Sequence, residues 1–234
     1  QGDACRRFQQ KPAERERESR RDVGGAHTHR ILAKPLIFHY FCNKILKMVL
    51  PVYLYGHPVL RKETEDIGKD YPGLDKLIRD MWETMYFTEG VGLAAPQIGK
   101  SISLIVIDGS VLGDEFPECK DSKMCLINPE LEVIEDMEPV GRNEGCLSLP
   151  GMSENVKRTE HVRLNWLDEN FVEHEKEFTG FLSRIIQHEF DHLLGTVYTD
   201  RISPIRKQMV RNKLNNLSRG KVKCDYRTVS AKTR

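Results

Sequence analysis

The stretch IIQHEFDHLLG, Ile185 to Gly195, restricts this chain more than any other. At 100° per residue, His188 and His192 lie one turn apart on the same face of a helix, so their imidazoles can converge on one metal ion. Glu189 lies about a third of a turn round, which puts it beside such an ion rather than on it. There it can accept a proton and hand it on. Phe181, Leu182, Ile185, Ile186 and Leu193 make the rest of the segment apolar. A burial-prone helix carrying two histidines and a glutamate needs partners for all three. Thr179-Gly180 is suited to open this helix and Gly195 to stop it.

Two histidines do not complete a site. In one zinc-protease pattern, HExxHxxGxxH, the third ligand is a histidine, but here Tyr198 stands in its place. In another it is a downstream glutamate, and no glutamate follows Glu189. A distant aspartate such as Asp200 or Asp225 stays open, as does a ligand from upstream. Upstream lies NEGCLSLPG, Asn143 to Gly151. A thiolate at Cys146 would give a Cys-His-His set with one open position, the arrangement a hydrolytic metal needs. Its plain alternative is a small buried hydrophobe. GVGLAAPQ, 90–97, offers glycines that permit close backbone approach, and a side-chain amide at Gln97.

In Tyr71–Phe87, Leu74, Leu77, Ile78, Met81 and Met85 fall at helical spacing. A small-residue loop is expected over 89–99, then a strand over 101–108 and a long polar loop. Further strands are expected over 124–135, 161–168 and 171–180, the last two joined by a turn at Glu169-Asn170. Ser203-Pro204 is suited to open a last helix running to about Leu217. Strands grouped between helices, without alternation, predict an α+β fold. Mostly antiparallel strands would pack around a central helix bearing HEFDH, with a further C-terminal helix.

GVGLAAPQ (90–97), EGCLSLP (144–150) and QHEFDH (187–192), in this order, resemble the three motifs of the peptide deformylases. YGHPVLRK (55–62) is similar to that family's N-terminal segment, and the resemblance runs from about Met48 to at least Leu217. It implies a hydrolase that removes the formyl group from formylmethionine at the start of new polypeptides, releasing formate. By the same resemblance Cys146, His188 and His192 would bind the metal. Glu189 would be general base and acid. The Gln97 amide and the Leu147 N–H would stabilise the oxyanion. Val91, Gly92 and Gly145 would hold the substrate backbone as an added strand. Ferrous iron is the implied metal, with zinc, nickel or cobalt able to occupy the site. Glu144 and Arg158 would either brace the Cys146 loop as an ion pair or stand as separately solvated charges. At Ser183 and Arg184 a more apolar lining would be expected.

Near-neutral overall charge hides a division. Residues 48–200 carry 14 basic against 29 acidic residues, net −15, while residues 201–234 carry 11 against 1, net +10. The basic end is a candidate for contact with ribosomal RNA, against a solubilising helix face and frayed end. Residues 1–47 resemble nothing in the family. They are read as a disordered or non-native extension, with Met48 as the native start, 48–217 as the catalytic domain and 218–234 as a basic tail. The six cysteines lack framework spacing, which fits reduced thiols in a cytoplasmic protein. The apolar run Ile31–Lys47 is too interrupted by Lys34, Pro35, His39 and Lys44 to span a bilayer. A monomer acting on nascent chains is expected. The competing readings are a zinc endopeptidase and a non-enzymatic metal- or RNA-binding protein on the same scaffold.

Overall fold

The helical spacing after Pro72-Gly73 forms helix α1 (Leu74–Phe87), entered through Gly73 at φ +73, with Leu74, Ile78, Met81 and Met85 on its buried face. The computed structural model describes residues 48–232. Within them the strands are β1 (Val52–Tyr53), β2 (Gly92–Ala94), β3 (Leu104–Ile107), β4 (Met124–Val133), β5 (Val140–Gly145), β6 (Ser153–Arg158), β7 (His161–Leu167), β8 (Glu173–Thr179) and β9 (Thr228–Val229). Two further helices follow, α2 (Gly180–Leu193) and α3 (Pro204–Ser218). The expectations made for residues 1–47 lie outside the described residues.

Strands β2, β3, β4, β7 and β8 form an antiparallel sheet in that order. Strand β3, Leu-Ile-Val-Ile, is buried along its whole length. Successive side chains point to opposite faces, so such a strand needs cover on both sides. Leu104 and Val106 pack with α1. Ile105 and Ile107 pack with Leu182, Ile185, Ile186 and Leu193 of α2. Strands β5 and β6 pair separately as an antiparallel hairpin, and β1 pairs β9 in parallel. The architecture is α+β with antiparallel strands, as the grouping of strands implies.

Four departures from the sequence expectation matter. Residues 92–94, expected as loop, form edge strand β2, followed by a 3-10 turn over Ala95–Ile98. A small residue is needed there because a Cβ on Gly92 would lie 2.5 Å from Glu189 Oε1. The hairpin β5–β6 was not foreseen, because its sequence is polar on one side and short of β-branched residues. Strand β4 is broken in register between Ile127 and Glu130. Asn128 sits there at φ +49, and its amide exchanges two 2.9 Å hydrogen bonds with the Ile67 backbone. Finally, residues after Ser218 do not fray: they run back to pair β9 with β1.

Helix ends follow the sequence closely. Ser203 Oγ accepts from Arg206 N–H, and Pro204 opens α3. Gly195, at φ +66, follows the end of α2. At the start of α2 the Thr179 side chain makes no cap. Glu118 supplies it from the long polar loop, its Oε1 accepting from Phe181 N–H at 2.7 Å. Among the described residues no helix is long and apolar enough to cross a membrane.

Candidate metal centre

Eleven of the fourteen residues of α2 are buried, including His188, Glu189 and His192. The helix lies with its apolar side on the sheet and presents its polar side to the turn after β5. That turn carries Cys146. The Sγ of Cys146 is 3.3 Å from His192 Nε2, and one donor atom from each of Cys146, His188 and His192 lies within 4.8 Å of the others. Thiolate and imidazole bonds to a divalent ion are about 2.0–2.3 Å, so donors at such separations can share one ion. Among the described residues this is the group of three that can do so. Asp200 is occupied elsewhere: its carboxylate pairs with Arg61 and accepts from Val197 N–H.

Tautomer and orientation are set by Glu144. His188 Nδ1 lies 2.9 Å from Glu144 Oε2, and a proton on Nδ1 leaves Nε2 for the ion. Glu144 also accepts from Arg158 Nε at 2.7 Å and from Arg184 Nη1 at 2.8 Å, all side chains buried. Burial works against its charge, but the His188 and Arg158 hydrogen bonds outweigh this and hold the carboxyl well below the usual range. Arg158 reaches on to Asp191 at 2.9 Å, and Asp191 pairs with Arg201. Arg184 Nε reaches Glu160, which Arg142 also grips at 2.7 Å. The pair Glu144–Arg158 is therefore part of a buried network, not two solvated charges.

Arg184 corrects the expectation of an apolar lining. It is 1% exposed, and it donates to Val156 O and Val140 O as well as to the two glutamates. Its four acceptors come from both strands of the β5–β6 hairpin and from Glu160, in the two-residue link between β6 and β7. The signal was present in the sequence: residues 184, 188 and 192 share one helical face.

Gln97 is 1% exposed. Its Oε1 accepts from Ala94 N–H at 2.8 Å, which fixes the amide, and its Nε2 lies 3.5 Å from Cys146 Sγ. Among the described residues, Glu189 Oε2 is buried and has no hydrogen-bond partner; nor has His192 Nδ1. Burial pushes the Glu189 carboxyl up to about 7; the His188 charge opposes this, and the Glu144 and Asp191 charges add to it. Val91 immediately precedes β2 and Gly92 opens it, β2 being an edge strand of the sheet, and Gly145 ends β5 beside the Cys146 turn.

An α+β scaffold that gathers a cysteine, two histidines and a buried carboxyl group at one point has the donor set of a metal-dependent hydrolase. The family model for polypeptide deformylase matches residues 49–208. The chain belongs to the peptide deformylase family, metal-dependent hydrolases that remove the N-formyl group from nascent peptides. It is 41% identical over 187 residues to the peptide deformylase of Christiangramia forsetii, a match that spans 77% of this chain and 95% of that one. The Flavobacterium psychrophilum peptide deformylase is 42% identical, with 77% and 96% covered. Among solved structures, a peptide deformylase from Legionella pneumophila superposes with a TM-score of 0.63 at 36% identity, covering 74% of this chain and 97% of its own. The peptide deformylase 1B of Arabidopsis thaliana gives 0.65 at 31%, covering 74% and 92%.

Proposed function

We propose that Cys146, His188 and His192 hold a divalent ion, ferrous iron in the cell, and that the substrate is formylmethionine at the start of a new polypeptide. The observation that carries this is the convergence of three donor atoms within 4.8 Å, with the Gln97 amide 3.5 Å from the thiolate. Donor chemistry supports the fit: a mixed thiolate and imidazole set suits iron or zinc. When bound, the ion supplies Lewis acidity that activates water and polarises the formyl carbonyl.

The residues of the chain do the rest. Glu189 takes a proton from the attacking water as its oxygen bonds to the formyl carbon. Gln97 Nε2 and the Leu147 N–H donate to the oxyanion that develops, one such donor being worth about 3–4 kcal/mol. Glu189 then gives the proton to the amine nitrogen as the C–N bond breaks, leaving formate and a free N-terminus. The substrate backbone lies at Val91 and at Gly92, the start of edge strand β2, and beside Gly145, as an added strand.

Formate release from a formylmethionyl tripeptide by iron-loaded protein kept from oxygen tests the reading. Cleavage of internal peptide bonds instead would favour an endopeptidase. Titration of the apoprotein with iron, zinc, nickel and cobalt, with turnover at each, tests the choice of ion. For the nascent-chain partner, we propose a ribosome contact through Arg211, Lys213, Arg219, Lys221 and Lys223, all exposed and without an ion pair among the described residues. Co-sedimentation with ribosomes across a salt series, comparing Lys213→Glu and Lys221→Glu with the native chain, tests it. We further propose a monomeric enzyme acting in the cytoplasm, which sedimentation and fractionation check.

A further inference from the structure

The turn that carries Leu147 is held by both ends of the described chain. Leu149 N–H donates to Cys146 O at 2.9 Å, so Cys146–Leu149 is a β-turn with Leu147 and Ser148 at its centre. The Leu147 carbonyl accepts from the Tyr226 hydroxyl at 2.7 Å, across 79 residues of sequence. The next carbonyl, of Ser148, accepts from Tyr55 N–H at 2.9 Å. Tyr55 lies just after β1 and Tyr226 just before β9. Those strands are tied by Val52 N–H to Arg227 O at 2.9 Å and Leu54 N–H to Val229 O at 2.8 Å. Leu217 and Val222 pack in the same apolar cluster as Leu149 and Cys146.

We propose that Tyr226 is a positioning residue for the deformylation reaction: its hydroxyl holds the Leu147 turn so that the Leu147 N–H stays aimed at the oxyanion. This rests on the reading of the site given above. The peptide between Leu147 and Ser148 is the central one of the turn, the unit that rotates between type I and type II forms. That rotation turns the Leu147 carbonyl, while the Leu147 N–H lies on the preceding peptide; the two share the Leu147 α-carbon, so a hydroxyl that pins the carbonyl at 2.7 Å also limits displacement of the residue that carries the N–H. Burial pushes the Tyr226 phenol up, and the Cys224 and Cys146 charges add to this, so it remains a donor at working pH.

The test is Tyr226→Phe in the full metal-loaded chain, which removes one oxygen and keeps the ring. Turnover of a formylmethionyl tripeptide should fall about five- to tenfold in kcat, the effect of one neutral hydrogen bond, with KM and bound metal unchanged. Amide resonances of Leu147 and Ser148 should shift in the zinc-loaded protein, while those of β7 and β8 stay. Lys232→Ala, exposed on the same C-terminal segment, should keep native kcat. An unchanged kcat in Tyr226→Phe overturns the proposal. So does a loss that tracks metal content, or an equal loss in Lys232→Ala. A native chain that releases no formate overturns the deformylase reading as well, whereas an active native chain with an indifferent Tyr226→Phe overturns this proposal alone.

Discussion

Glu189 follows His188 in sequence, yet its Oε2 has no hydrogen-bond partner among the described residues. A buried carboxylate in that state is ready to take a proton rather than to brace structure. Glu189→Gln keeps size and burial while removing the base. It should retain metal and lose about 100- to 10,000-fold in kcat, checked by metal analysis beside steady-state turnover. Gln97→Ala removes the proposed oxyanion donor and should cost about 100- to 1000-fold in kcat. Its melting temperature should also fall, because the buried Ala94 N–H loses its acceptor. Glu160 gives the pH prediction. Burial raises its carboxyl, but Arg142 and Arg184 outweigh burial and hold it below the ordinary value of 4.5. A depressed folded pKa means stability that is present above the ordinary value and lost as pH falls through the folded one. In acid unfolding below about pH 4.5, stability of the native chain should fall more steeply with pH than that of Glu160→Gln.

At the scale of elements, helix α2 and the β5–β6 hairpin make one unit through Arg184. The helix contributes the guanidinium and the hairpin region contributes Glu144, Val156 O, Val140 O and Glu160. Removing one partner of a buried ionic cluster leaves charge unpaired, so Arg184→Met should destabilise by about 3 kcal/mol, read by denaturant unfolding. The close of α2 is equally specific. Gly195 sits at φ +66, and a Cβ there would meet the Arg61 carbonyl carbon at 2.7 Å. Gly195→Ala combines backbone strain with a clash against main chain and should lower the melting temperature. Amphipathic α1, the alternating sheet strands and the Ser203-Pro204 start of α3 were legible because their signals are local. The β5–β6 hairpin was not, because its buried polar residues find their partners, Arg184, His188, Asp191 and Arg206, on helices later in the chain.

For the whole molecule, the ends of the described chain close on each other and on the site. Strand β9 pairs β1, and residues on either side of that pair hold the carbonyls of Leu147 and Ser148. A test of ribosome binding by deleting residues 218–234 would therefore disturb the turn after Cys146, which is why charge reversal on exposed side chains is the cleaner probe. Metal should also act on the whole fold. An ion that binds the folded state alone stabilises it by about 2.7 kcal/mol at a hundredfold excess over its dissociation constant. Chelation should lower the melting temperature, and re-addition of the ion should restore it.

The sequence by itself determined the elements and the chemistry each could carry. HEFDH, EGCLSLP and GVGLAAPQ named the ligand types, the carboxylate and the amide, because helical and turn geometry are set within a few residues. It left open how Cys146 meets the helix, whether Glu144 and Arg158 are paired, and where the basic end packs. Only the tertiary structure decided these. Glu144 touches His188 from 44 residues away, and Tyr226 touches Leu147 from 79 away. Contacts of that range follow from burial and packing across the fold, which no local pattern in the chain encodes.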